Sequence, residues 1–165
     1  MDNSVRYDSM LFDFGAGASV TLKTVTVGWW KTDSDLTVLA YTGSGKPTFL
    51  SGNVGYSSLL SNGWSVVKSS NSAHYTNAAS GAVSQSSNAA GYVPLSVNDL
   101  NISSRYWLVG ALNTLVQSLP NVDTSKDFVK IAGVTGEYGR IPEPTSAVLA
   151  SGGLLGFLAL GRRRR

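Results

Sequence analysis

The sequence predicts a mostly β protein, an antiparallel β-sandwich of jelly-roll-like kind, with one short transmembrane helix at its C-terminal end. Three observations carry this. The chain holds 18 Gly, 4 Trp and 7 Tyr but only 14% charged residues, whereas helical proteins draw far more on Glu, Lys, Ala and Leu. Short segments alternate apolar and polar residues with the period of two that marks a half-buried strand. Clusters of Gly, Asn and Ser separate most of them, as turns require. A length of 165 residues with a 42% hydrophobic share suits one domain with a real core plus a tail.

Met10, Phe12 and Phe14 fall on one face of a first strand that ends at Gly15. Val20 and Leu22 alternate with Thr21 and Lys23. The pattern slips by one at Thr24 before Val25 and Val27 resume, which predicts a bulge. Leu36, Val38 and Ala40 face away from Thr37, Leu39 and Tyr41. Further strands are expected over 63–68, 105–112 and 127–135, and short helical turns fit 96–103 and 113–119. The stretch 69–91, rich in Ser, Asn and Ala, reads as a long loop or irregular edge. The sandwich domain is thus 1–139.

The pI near 9.3 does not describe the body. Four of the 13 basic residues are Arg162, Arg163, Arg164 and Arg165, which leaves 9 basic against 10 acidic residues elsewhere. A nucleic-acid partner would need a basic face that neutralises several phosphates, and none is present. Cysteine is absent, which excludes disulfides, thiolate zinc sites and a cysteine nucleophile.

The tail reads as three parts. Residues 140–145 contain Pro142-Glu143-Pro144, whose prolines fix φ and remove amide donors, so no helix runs through. Residues 146–161 form a short apolar helix; its 15 uncharged residues from Ala147 to Gly161 span about 23 Å as a helix. A full crossing takes roughly 20 residues; Thr145, Ser146 and snorkelling arginine stems bring this one near the minimum. The cluster 162–165 places that end in the cytoplasm and the body outside.

Pro-Glu-Pro, a short Gly- and Leu-rich span and a terminal arginine cluster together resemble the PEP-CTERM sorting signal of bacteria with an exosortase system. The resemblance covers about 25 of the 165 residues. It implies recognition by an exosortase-type enzyme in the inner membrane, cleavage near Pro142, Glu143 and Pro144, and delivery of the body to the cell surface. It also implies a signal peptide. The chain instead begins Met1-Asp2-Asn3-Ser4-Val5-Arg6, without a basic start and apolar core, so the sequence reads as N-terminally truncated. The body segments DSMLFDF, VTVGWWKTDSDLTVLAYTG, SSRYWLVGAL and DFVKIAGVTG resemble a group of exosortase-dependent surface proteins, which implies export and no particular substrate.

Other motifs favour plain roles. Gly43-Ser44-Gly45-Lys46 lacks the glycine five positions before Gly45, where Ala40 stands, and has Pro47 after the lysine; it is a turn, not a phosphate loop. Asp33 and Asp35 are weak candidates for calcium, with Asp8 or Asp13 as possible completing ligands, and a turn explains them equally well. His74, the single histidine, is expected in a solvated loop. Glu137 and Glu143 are the two glutamates, and Glu143 belongs to the sorting motif, so an acid pair for glycoside hydrolysis is unsupported. Trp29, Trp30, Trp64 and Trp107 are core or cover by default. Trp29 and Trp30 must point to opposite faces of a strand, so one of the two can meet a sugar.

The expected function is a non-catalytic, exported surface or extracellular-matrix protein with a structural or adhesive role. The alternative is a carbohydrate-binding module for exopolysaccharide, using Trp29, Trp30 or Trp64; a hydrolase built on His74 is remote. The expected partners are the membrane, the processing enzyme and polysaccharide. No cofactor is expected beyond the calcium option.

Overall fold

The computed structural model describes residues 1–4, 6–32, 34–48, 55–75, 92–118, 120 and 126–140. They form two antiparallel sheets. The strands are β1 (Ser9–Asp13), β2 (Ala18–Thr32), β3 (Leu36–Tyr41), β4 (Trp64–Val66), β5 (His74–Tyr75), β6 (Val93–Ser96), β7 (Tyr106–Ala111) and β8 (Asp127–Arg140). One sheet runs β1-β7-β3-β4, with β5 also pairing β3; the other runs β6-β2-β8.

The inner core draws on both sheets. Leu22, Val25, Val27 and Trp30 of β2 and Val129 of β8 meet Leu36, Val38 and Ala40 of β3 and Trp107, Val109 and Ala111 of β7. β3 alternates as expected, but both of its faces are covered. Leu39 joins a second cluster on the outer side with Leu59, Trp64, Ala73, Tyr106, Leu108 and Val116. Two 3₁₀ turns, Tyr56–Ser58 and Leu60–Asn62, bring Tyr56 and Leu59 to that cover.

The bulge expected near Thr24 is present. The β2–β8 register shifts between Leu22 and Thr24, and again around Val27 and Gly28. One extra residue lets Lys23 and Thr24 both face away from the core while Leu22 and Val25 stay in it. The carbonyls of Leu22 and Lys23 then both find donors on the β6 side, from Asn98 Nδ2 at 3.0 Å and Val97 N at 2.9 Å.

Several expectations change. β8 runs to Arg140 rather than ending near 135. Its glycines allow close approach rather than a turn: a Cβ on Gly136 would stand 2.7 Å from Thr21 O. β6 begins just past the polar stretch 69–91 and was not anticipated. β1 is an edge strand, so Met10 is 43% and Phe14 36% exposed, and Phe12 alone of the three packs on the core. Phe14 stacks on Phe12, with ring centroids 6.4 Å apart. The segment 96–103 is a turn, with Asn98 and Asn101 at positive φ, and the described part of 113–119 is a turn closed by Val116 N on Asn113 O.

Trp107 is fully buried, and its Nε1 donates to Val20 O at 3.1 Å and Ser104 O at 3.2 Å. Trp107→Ala is therefore expected to cost about 3–5 kcal/mol in urea unfolding, against less than about 0.5 kcal/mol for Tyr138→Ala at a surface site. Equal midpoints for the two variants would contradict this account of the core.

Candidate functional site

The sorting residues Pro142, Glu143, Pro144, Arg162, Arg163, Arg164 and Arg165, and the apolar run 146–161, lie outside the described residues. Among the described residues no helix is long and apolar enough to cross a membrane. β8 carries the chain to Arg140, paired with Ala18 at one end of the three-stranded sheet.

Of the tryptophans, Trp107 is fully buried, Trp64 is 2% and Trp30 8% exposed. Trp64 and Trp30 cannot offer a ring face to a sugar, because each is packed within an apolar cluster. Trp29 points the other way, as the pleat requires, and is half-buried on the outer face of β2. The Lys130 ammonium sits 5.2 Å from its ring centroid, a contact worth about 0.5–1 kcal/mol at an exposed site.

Tyr92, just before β6, is 73% exposed and joins Trp29 on this face. A Cβ on Gly28 would lie 3.5 Å from Tyr92 Cε1 and 2.9 Å from Ala132 Cβ. The row across the sheet is thus an aromatic ring and a small side chain that close over a glycine. Pro94, Thr26 and Gly133 form the next row, then Ser96, Thr24 and Thr135. Further along, Lys23 pairs with Glu137 at 3.5 Å. The sequence signal for Tyr92 was the alternation Tyr-Val-Pro-Leu-Ser at 92–96, overshadowed by the polar stretch before it.

The carboxylates are dispersed. Asp33 lies outside the described residues. Asp35 is buried; its N–H donates to Asp127 Oδ1 at 3.2 Å and its carbonyl accepts from Leu112. Asp13 is held by Arg105 at 2.6 and 2.8 Å, and that bond, with the Gly15 amide, lowers its pKa to about 2. Asp13 and Asp35 sit at opposite ends of β7, about 20 Å apart along the strand. Asp8 accepts from the Asp2 amide. Among the described residues no three His, Cys, Asp or Glu gather to hold a metal. The Gly43–Lys46 segment is an exposed turn after β3, with Gly45 at φ +76°.

His74 is buried, not solvated: it is 1% exposed. Its Nε2 lies 2.6 Å from Gln117 O and its Nδ1 3.1 Å from Thr37 Oγ1. A carbonyl can only accept, so Nε2 carries the proton; Thr37 Oγ1, which accepts from Asn113 N, donates its own hydrogen to Nδ1. The ring is thus buried with both nitrogens taken by protein groups. The sequence hid the role because β5 is two residues long.

A cleft of about 270 Å³ opens between β6 and β5, lined by Lys68, Tyr75, Ser96, Val97, Asn98 and Asp99. Its charges are already engaged. Lys68 Nζ donates to His74 O at 3.3 Å and lies 5.0 Å from the Tyr75 ring centroid. Asp99 accepts from the hydroxyl and amide of Ser69, and these bonds lower its pKa. Burial raises the pKa of Tyr75, whose oxygen accepts from Asn98 N.

No protein-family model, curated protein or solved structure matches this chain.

Burial holds the pKa of His74 below its ordinary 6.5, and nearby Lys68 adds to this. The unfolded chain takes up a proton at this ring below pH 6.5 while the folded ring stays neutral to lower pH. The stability it contributes is therefore complete above pH 6.5 and is lost as pH falls towards the folded pKa. Thermal midpoints should fall on acidification from pH 6.5 in the parent and less so in His74→Gln; an identical slope would remove His74 as the source. His74→Ala orphans Thr37 and Gln117 groups and should cost about 1–3 kcal/mol beyond its lost packing.

Proposed function

We propose that this chain is an exported bacterial surface or extracellular-matrix protein of non-catalytic, structural or adhesive role. On this reading it enters the inner membrane through its C-terminal tail and is clipped by an exosortase-type enzyme. The tail carries the reading. Pro142-Glu143-Pro144, 15 uncharged residues and four arginines follow one another in the last 24 residues, an order that suits a membrane-inserted end with its charge in the cytoplasm. The body's described bulk resides in two antiparallel sheets, which we read as a jelly-roll-like sandwich.

The test is intact mass and location of the full chain behind a secretion signal, in an exosortase-positive and an exosortase-null host. The surface form should lose the mass of the residues after about Pro142 in the positive host alone, and Glu143→Ala should block that loss. A tail kept in both hosts, or lost in both, would overturn the sorting reading.

A further inference from the structure

We infer that the outer face of the β6-β2-β8 sheet, around Trp29, Gly28 and Tyr92, binds an extended neutral polysaccharide. The two sheets are covered unequally. The β1-β7-β3-β4 sheet has apolar clusters on both sides, whereas among the described residues no such cluster covers the outer side of β6-β2-β8. That side keeps the large ring of Tyr92 mostly in water, beside the partly buried indole of Trp29.

The chemistry of the face selects the occupant. A pyranose ring presents weakly positive C–H groups that sit on the negative face of an aromatic ring, while its hydroxyls seek partners at the rim. Trp29 and Tyr92 supply the rings. Gly133 leaves open space above its backbone, so a chain can lie close to the strands there, while the Tyr92 ring and Ala132 close over Gly28. The rows beyond supply the hydroxyls of Thr26, Thr24, Thr135 and Ser96.

Charge narrows it further. Lys23 is paired with Glu137, and Lys130 lies over the Trp29 ring; β2 also carries Lys31 beyond Trp29. Among the described side chains of this face a polyanion would find no cluster of unpaired cations. A second protein would ask for a larger apolar centre than two rings among hydroxyls and glycines. A neutral chain needs neither, and an extended one can follow the strands past both rings and the hydroxyl rows.

The inference deepens the adhesive reading above and rests on it for the ligand's source alone. Tail clipping is read by mass and sugar binding by depletion, so either can fail without the other. The full chain in mild detergent is mixed with insoluble cellulose, mannan and linear β-1,3-glucan, with calcium alginate gel as the acidic control. It should be depleted by at least one neutral polymer and not by alginate. The bound glycan's soluble hexasaccharide should shift the emission of Trp29 to the blue, and Trp29→Phe should remove that shift. Trp29→Ala and Tyr92→Ala should each weaken binding about tenfold with unchanged thermal midpoints, which the exposure of Tyr92 makes safe for at least that variant. Depletion by none of the three neutral polymers, stronger capture by alginate, or full binding by the Trp29→Ala/Tyr92→Ala double variant would overturn the proposal. So would loss of a chain–chain dimer in the ring variants, which would give the face to a second copy.

Discussion

β3 and β7 are buried on both faces, and the remaining described elements are arranged around that requirement. A strand with one wet face needs one cover; these two need two. Leu36, Val38, Trp107 and Val109 face the β6-β2-β8 sheet, while Leu39, Tyr106 and Leu108 face the layer built from Leu59, Trp64 and Val116. The His74 network fastens part of that outer layer, because Gln117 accepts from His74 through its carbonyl and from the Ala73 amide through its side chain. Among the described residues the second sheet has no comparable double burial. Its outer side is the broad surface on which Thr, Gly and two aromatic rings share space with few charges.

Doubly buried strands leave polar groups that must be met internally. Asn98 is the densest answer. At φ 63° its side chain donates to Leu22 O and Ile102 O and accepts from Ile102 N, while its own amide donates to Tyr75 Oη. One residue in the left-handed region thus ties the bulge of β2, the turn before β7 and the end of β5. Asn tolerates that region better than most residues. The bulge is part of the same solution. Without the extra residue at Lys23, either Leu22 or Val25 would turn to solvent, and Lys23 would lose its reach to Glu137 and Asn101.

What the sequence made legible was periodicity. The slip at Thr24 and the two-faced alternation of 36–41 were visible because each is a pattern within one strand. Features that depend on distant pairing were not. The expected strand 127–135 stops short of the full β8, whose extension depends on pairing with β2, where Gly136 lies too close to Thr21 O for a side chain. His74 read as a loop residue because its partners, Thr37 and Gln117, are 37 and 43 residues away. Trp29 and Trp30 could be divided into one outward and one inward ring from the pleat alone, but which was which needed the bulges at Lys23 and Gly28. Trp64 gave no local sign that the 3₁₀ turns would cover it.

The two proposals meet in the direction of β8. The strand runs from Asp127 beside Thr32 to Arg140 beside Ala18, so Arg140, two residues before Pro142, and the aromatic end of the face lie at opposite ends of one sheet. Ten residues separate Lys130, beside Trp29, from Arg140; at the rise of a strand that is on the order of 30 Å. If the tail holds the body as proposed, the rings lie at the end of the sheet remote from Arg140, with the threonine rows between. That polarity follows from strand direction and register, independent of how the tail itself is held. On the two proposals, the aromatic face and the C-terminal tail would therefore serve the same chain without competing for one surface.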